Sequence, residues 1–145
     1  MINKTKVVPY KAGEMYALVN DIEAYPAFIP WCNSAEVRER EAHRLVATLV
    51  LGVGKLHYSL TTENRMQVDR RIDFSLLEGP FKRLEGYWLF DELQDGHCRA
   101  TLCMEFEFKN KMLALALNKF YEQVNSTLVD VFSRRAVAIY GAGSG

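Results

Sequence analysis

The stretch NKMLALALNKFYEQVNSTLVDVFSRRAVAIY, residues 110–140, decides the fold. Its apolar residues include Leu113, Leu117, Phe120, Val124, Leu128, Val131 and Ile139. Most steps between them are three or four, which draws one stripe along a helix. No Pro or Gly interrupts the run before Gly141, where the helix is expected to stop. About 30 residues at roughly 1.5 Å each make a rod of roughly 45 Å. A rod with one apolar side needs a broad apolar surface to lie on, and nearly everything before it reads as β-strand.

The last strand is the cleanest. Ala100, Leu102, Met104, Phe106 and Phe108 point one way; Arg99, Thr101, Cys103, Glu105 and Glu107 point the other. The same period-two alternation runs through 44–51, 55–63, 71–77 and 83–91, with a more polar strand at 35–40 and a first strand at 5–10. Gly52-Val53-Gly54 reads as a turn or bulge and Asp95-Gly96 as a tight turn. A short helix from Gly13 carries Met15, Leu18, Val19 and Ile22 on one face, and Asp21 is placed to cap a second short turn at 22–25. Strict alternation predicts an antiparallel sheet with one wet face. The reading is α+β: a curved antiparallel sheet of six to seven strands around a long C-terminal helix, with two short helices after the first strand. It forms a single domain over 1–140 with a flexible tail at 141–145.

Composition narrows the function. A chain of 145 residues can bury a real core. Zero formal net charge gives no global pull toward nucleic acid, and no DNA partner is expected. Cys32, Cys98 and Cys103 form no CxxC pair, so no metal site is expected. With no apolar leader and no run of about 20 apolar residues, a reduced, cytoplasmic protein is expected.

Catalytic patterns are missing. His43 and His97 fall in turns and His57 on an outward face; there is no nucleophile elbow, HExxH or P-loop. No catalytic residue and no catalytic cofactor is assigned. The inward face is the informative one. It carries Leu49, Leu51, Tyr58, Phe74, Leu76, Trp88, Phe90, Met104, Phe106 and Phe108, facing Leu117, Phe120 and Val124 of the helix. Gly86 leaves a gap among these large groups. Either the core is solid or it holds an apolar cavity. Tyr25, Phe28, Ile29 and Trp31, stiffened by Pro26 and Pro30, form a lid over it, or a surface for a membrane or another protein. Phe81 stands at the rim after the Gly79-Pro80 turn, and Lys82, Arg83, Lys109 and Lys111 form a candidate basic patch.

The motifs then resemble a known family. Pro9-Tyr10, Met15-Tyr16, Leu18-Val19, Asp21-Ile22, Tyr25-Pro26 and Phe28-Ile29-Pro30-Trp31-Cys32 resemble the opening signature of the coenzyme Q-binding START-domain family. Its bacterial branch includes the ribosome association toxin RatA. Gly79-Pro80-Phe81-Lys82, with Leu84, Gly86, Trp88 and Phe90, resembles the second motif; Phe106-Glu107-Phe108-Lys109-Asn110 resembles the third. Ile29 stands where Leu is commoner, a conservative departure. The resemblance covers almost the whole chain.

It implies a START-like helix-grip fold with a hydrophobic tunnel. It also implies one of three functions. The first is binding of ubiquinone or another isoprenoid lipid, as a chaperone or carrier for respiratory electron transport. The tail would lie in the tunnel and the ring near Tyr25, Trp31 or Phe81, with peripheral contact at the inner membrane. The second is association with the large ribosomal subunit through Lys82, Arg83, Lys109, Lys111, Arg134 and Arg135, blocking subunit joining. The third, an aromatase/cyclase-type enzyme of the wider polyketide cyclase superfamily, has only Tyr58 and Thr62 as inward polar groups and is disfavoured.

Overall fold

The computed structural model describes residues 2–141, apart from the side chain of Val53. Seven strands make one antiparallel sheet: β1 Ile2–Val8, β2 Cys32–Arg40, β3 Arg44–Val53, β4 Leu56–Gln67, β5 Arg71–Glu78, β6 Phe81–Glu92 and β7 Cys98–Phe108. Their order is β1-β7-β6-β5-β4-β3-β2, a meander whose far edge is closed by β1 lying against β7. Helix α1, Ala12–Asn20, and a 3₁₀ segment, Ile22–Ala27, lead from β1 to β2. Helices α2, Lys111–Ala116, and α3, Asn118–Tyr140, complete the chain. The expected tail positions 142–145 lie outside the described residues.

The alternation places apolar groups where a helix covers them. Leu45, Ala47, Leu51, Ile72, Leu84, Trp88, Phe90 and Leu102 are buried in one core, to which α3 contributes Phe120, Val124, Leu128, Phe132 and Ala136. The opposite sheet face carries ion pairs: Arg44 Nε to Glu63 Oε2 at 2.7 Å, Arg71 Nε to Asp73 Oδ2 at 2.8 Å, and Arg83 Nη2 to Glu105 Oε2 at 3.6 Å.

Several expectations are corrected. The helix at 110–140 is broken at Leu117, which has φ −106° and ψ 17° and is fully buried. Neither Pro nor Gly causes the break. It is a kink, because Leu117 N donates to Leu113 O at 2.9 Å and Tyr121 N donates to Leu117 O at 3.2 Å. Turning there seats Leu117 in the core while Met112 and Leu115 stay 79% and 81% exposed. The buried stripe continues through Phe132 and Ala136, leaving Ile139 exposed, because the covered face turns as the sheet curls around the helix. Asp21 makes no side-chain cap. β3 runs on through Gly52 and Val53, and the turn falls at Gly54 and Lys55. Gly86 leaves no gap: a Cβ there would lie 2.2 Å from the Cys103 carbonyl oxygen and 2.9 Å from Phe74 Cζ. Phe81 is 1% exposed rather than at a rim, because an irregularity in the β6–β7 register between Phe81 and Arg83 turns it inward.

Candidate functional site: an apolar cavity between sheet and helix

Between the sheet and α3 lies a cavity of about 110 Å³. Its floor alternates along neighbouring strands: Ala47 and Leu49 of β3, Leu60, Thr62 and Asn64 of β4, Ile72 and Phe74 of β5. Leu84 and Trp88 of β6 and Met104 of β7 continue it. Phe120, Val124 and Leu128 of α3 form the roof. Val19, Ile22, Tyr25 and Trp31 close the side.

Of the expected lining residues, Leu49, Phe74, Trp88, Met104, Phe120 and Val124 meet around this space, with Tyr25 and Trp31 from the lid. Leu51, Tyr58, Leu76, Phe90, Phe106, Phe108 and Leu117 lie outside it. The reason is aromatic packing. Phe81 stacks on Phe108 at 5.2 Å between ring centroids and meets Phe106 edge-on at 5.5 Å; Phe120 closes the group at 6.1 Å from Phe81 and 5.9 Å from Phe106. These four rings fill the end of the grip where the longer tunnel was expected. Phe90 is occupied by Tyr16 and Trp88.

The lid is folded inward. Trp31 meets Phe120 edge-on at 5.0 Å, and Tyr25 and Phe28 each meet Phe132 at 5.4 Å. Ile29 is 2% exposed, and the Arg135 guanidinium sits 4.8 Å above the Phe28 ring. Phe28 and Trp31 therefore pack on side chains of α3, and Ile29 is buried. Met112 and Leu115 are the large exposed apolar groups of α2.

Polar groups in the wall are few. Thr62 Oγ1 donates to Asn64 Oδ1 at 2.9 Å. The Tyr25 hydroxyl donates to the Val19 carbonyl, and burial above all, with Cys32 and Asp21 adding, raises its pKa far above the ordinary tyrosine value. No His, carboxylate, Lys, Arg or Cys lines the cavity. The wall therefore holds no side chain able to exchange a proton near neutral pH. Among the described residues there is no cluster of three metal-ligating side chains and no helix long and apolar enough to cross a membrane.

Ala47, Leu60, Ile72, Leu84, Leu128 and Asn64 were not singled out from sequence as site residues. Asn64 was reachable: it continues the inward series Leu60, Thr62, but a polar residue after Glu63 reads as the strand's end.

Lys82, Lys109 and Lys111 are exposed at one end of the sheet, where Phe81 pairs with Phe108. Arg83 faces Glu105 instead.

Known proteins extend this picture. Residues 8–133 match the family described as polyketide cyclase / dehydrase and lipid transport. The ribosome association toxin RatA of Vibrio cholerae is 36% identical over 140 residues, 97% of each chain. The persistence and stress-resistance toxin PasT of Escherichia coli is 35% identical over 141 residues, 97% of this chain and 89% of that one. A coenzyme Q-binding protein COQ10 homolog B of Xenopus laevis is 27% identical, covering 96% of this chain and 59% of its own. In fold, a Thermus thermophilus protein superposes with a TM-score of 0.79 at 23% identity, over 94% of this chain and 97% of that one. The Streptomyces Zhui aromatase/cyclase does so at 0.77 and 18%, over 99% and 98%. The chain belongs to the polyketide cyclase / dehydrase and lipid transport family, with the START-like helix-grip fold, among relatives named as ribosome association toxins and coenzyme Q-binding proteins.

Proposed function

We propose that this chain binds an isoprenoid quinone or a similar apolar ring-bearing lipid in the cavity between α3 and the sheet, and acts as its carrier or chaperone. The observation that carries the reading is the cavity itself: set between helix and sheet, walled mainly by aliphatic and aromatic groups, and without His, carboxylate, Lys, Arg or Cys in its lining. A coenzyme Q-binding relative supports the ligand class. The absence of an acid or base in the wall weighs against a cyclase, whose fold is shared only at 18% identity.

The volume limits how the ligand sits. About 110 Å³ is below the roughly 150 Å³ of an engineered cavity that takes up benzene. A ring enters only if the lid and α2 give way, and a long tail extends beyond the cavity. Met112 and Leu115, flanked by Lys109 and Lys111, supply an apolar and cationic entry side toward an anionic lipid surface.

The test is solvent extraction of the purified protein followed by mass spectrometry for quinones. The control is Ala47→Phe, which fills the cavity from its floor, with the fold checked by circular dichroism. Quinone in the wild type and not in the variant is expected. Equal amounts in both would remove the cavity as the site.

A second reading rests on a different observation, the full-length identity to proteins named as ribosome association toxins. Lys82, Lys109 and Lys111 supply a cluster for phosphate groups, so binding to the large subunit would weaken as salt rises. Co-sedimentation with ribosomal subunits, comparing wild type with K82E/K109E/K111E, tests it. The two readings are compatible, since one uses the interior and the other the surface.

A further inference from the structure

We propose that Asn64, held by Thr62, is the polar recognition point of the cavity and takes a carbonyl oxygen on the ring of its ligand. The inference rests on the ligand reading above and deepens it by saying which way round the ligand lies.

Tyrosines and cysteines aside, Asn64 is the one polar side chain buried among the described residues, at 8% exposure, and it lines the cavity. A side-chain amide has two N–H donors and a carbonyl acceptor. Here the acceptor is engaged, because Thr62 Oγ1 donates to Oδ1 at 2.9 Å. The amide nitrogen has no hydrogen-bond partner among the described residues. That nitrogen keeps accessible surface, because the buried side-chain atom left without a partner among the described residues is Asn20 Oδ1. A donor there suits an acceptor arriving with the ligand. Phe74, paired with Asn64 across the sheet, and Ile72 offer apolar surface on which a flat ring can rest.

Position along the strand sets the direction. Cys32, at the end of the lid, pairs with Leu51, which pairs with Tyr58 of β4. Within the cavity, Asn64 lies four residues beyond Leu60, the β4 lining residue nearest that end, roughly 13 Å along the strand. The carbonyl ring therefore goes in first and the tail trails back toward Trp31 and Phe120. That reverses the placement expected from sequence, with the ring at the mouth.

The experiment compares duroquinone (tetramethyl-1,4-benzoquinone) with durene, the same ring and methyl groups without the carbonyl oxygens. Both tryptophans, Trp31 and Trp88, line the cavity, so the quinone is titrated by quenching of intrinsic fluorescence and durene by its displacement of the quinone. Asn64→Leu is expected to weaken duroquinone about tenfold while durene binds as well or better. Thr62→Val, which keeps the amide but frees its carbonyl, is expected to shift the same ratio by a smaller factor, about threefold. A merely structural role would move both probes together. If both probes bind and neither variant changes their ratio, Asn64 is not the recognition point, though the cavity remains a ligand site. If the wild type binds neither, the ligand reading falls, and this inference with it.

Discussion

The ring of Phe74 lies against Gly86 of the adjacent strand, so close that a Cβ on Gly86 would stand 2.9 Å from Phe74 Cζ. The Cys103 carbonyl oxygen, 2.2 Å from the same point, blocks the other side, and Met104 Cα is at 2.9 Å. Backbone cannot yield cheaply, so the aromatic ring must move or the β6–β7 pair must spread. Gly86→Ala is expected to destabilise by about 1–3 kcal/mol, the usual cost of overpacking. In a chain of this size that lowers Tm by roughly 3–10 °C. Phe74 also walls the cavity, so the same variant should reduce ligand uptake. Thermal unfolding followed by circular dichroism checks the first effect; an unchanged Tm would show that the strands absorb the methyl freely.

The cysteines differ by burial. Burial pushes the Cys32 and Cys98 thiols up to about 11, with Glu92 and Asp91 adding at Cys98. At pH 8 a thiol of that pKa is thiolate to the order of one part in 10³. Cys103 is half-buried on the outer sheet face. Native protein treated with a thiol-specific disulfide reagent at pH 8 is expected to react promptly at one site, lost in Cys103→Ser, and at three in urea. A second equally fast thiol would contradict this. Unfolded thiols ionise near pH 8.5, below the folded values, so this contribution to stability is whole below about pH 8.5 and is lost as pH rises toward about 11.

Acid acts through a different pair. The Arg44 guanidinium donates to Glu63 at 2.7 Å, and Arg65 stands 3.0 Å from the other carboxylate oxygen. The hydrogen bond from Arg44 is the main reason the Glu63 carboxyl titrates below its ordinary value. A depressed carboxylate contributes stability above its unfolded pKa of about 4.3 and loses it as pH falls through the folded value. Urea midpoints of wild type and Glu63→Gln should therefore differ at pH 7 and draw together as pH falls below the ordinary carboxylate range. A gap that stays constant from pH 7 to pH 3 would assign the loss to packing rather than charge.

How far the sequence revealed the site depends on the kind of signal. Alternation such as Leu102, Met104, Phe106 against Thr101, Cys103, Glu105 repeats every two residues, so it marks strand faces without knowledge of neighbours. It led to the sheet and to four of the lining residues, Leu49, Phe74, Trp88 and Met104, while the three-and-four spacing of the helix gave Phe120 and Val124. It says nothing about which inward side chains fill space and which border it. Phe106 and Phe108 face inward as expected, yet they pack into a cluster with Phe81 and Phe120 and stop the tunnel short. Phe81 follows a Gly-Pro turn, and only the register irregularity after it turns the ring inward. The kink at Leu117 has no local marker, since it arises from which leucine the sheet can cover.

That kink sets the last expectation. α2 has six residues, none of them buried, and its N-terminus is held by the Asn110 side chain accepting from Leu113 N at 2.9 Å. So short a helix is marginal in water by itself. Beyond the kink, α3 is anchored by Phe120, Val124, Leu128, Phe132 and Ala136. Opening at α2 therefore disturbs little core, and the amides of Lys111–Ala116 should exchange with deuterium orders of magnitude faster than those around Val124 to Phe132. Hydrogen exchange with mass spectrometry on peptides either side of Leu117 measures the contrast. Duroquinone should slow exchange at Tyr25 to Trp31 if the lid settles onto the ligand. Protection of α2 equal to that of α3 would mean the end of the grip is rigid. Entry would then have to pass between the lid and β2, and substitutions that loosen Trp31 from Phe120, rather than changes in α2, would control the rate of uptake.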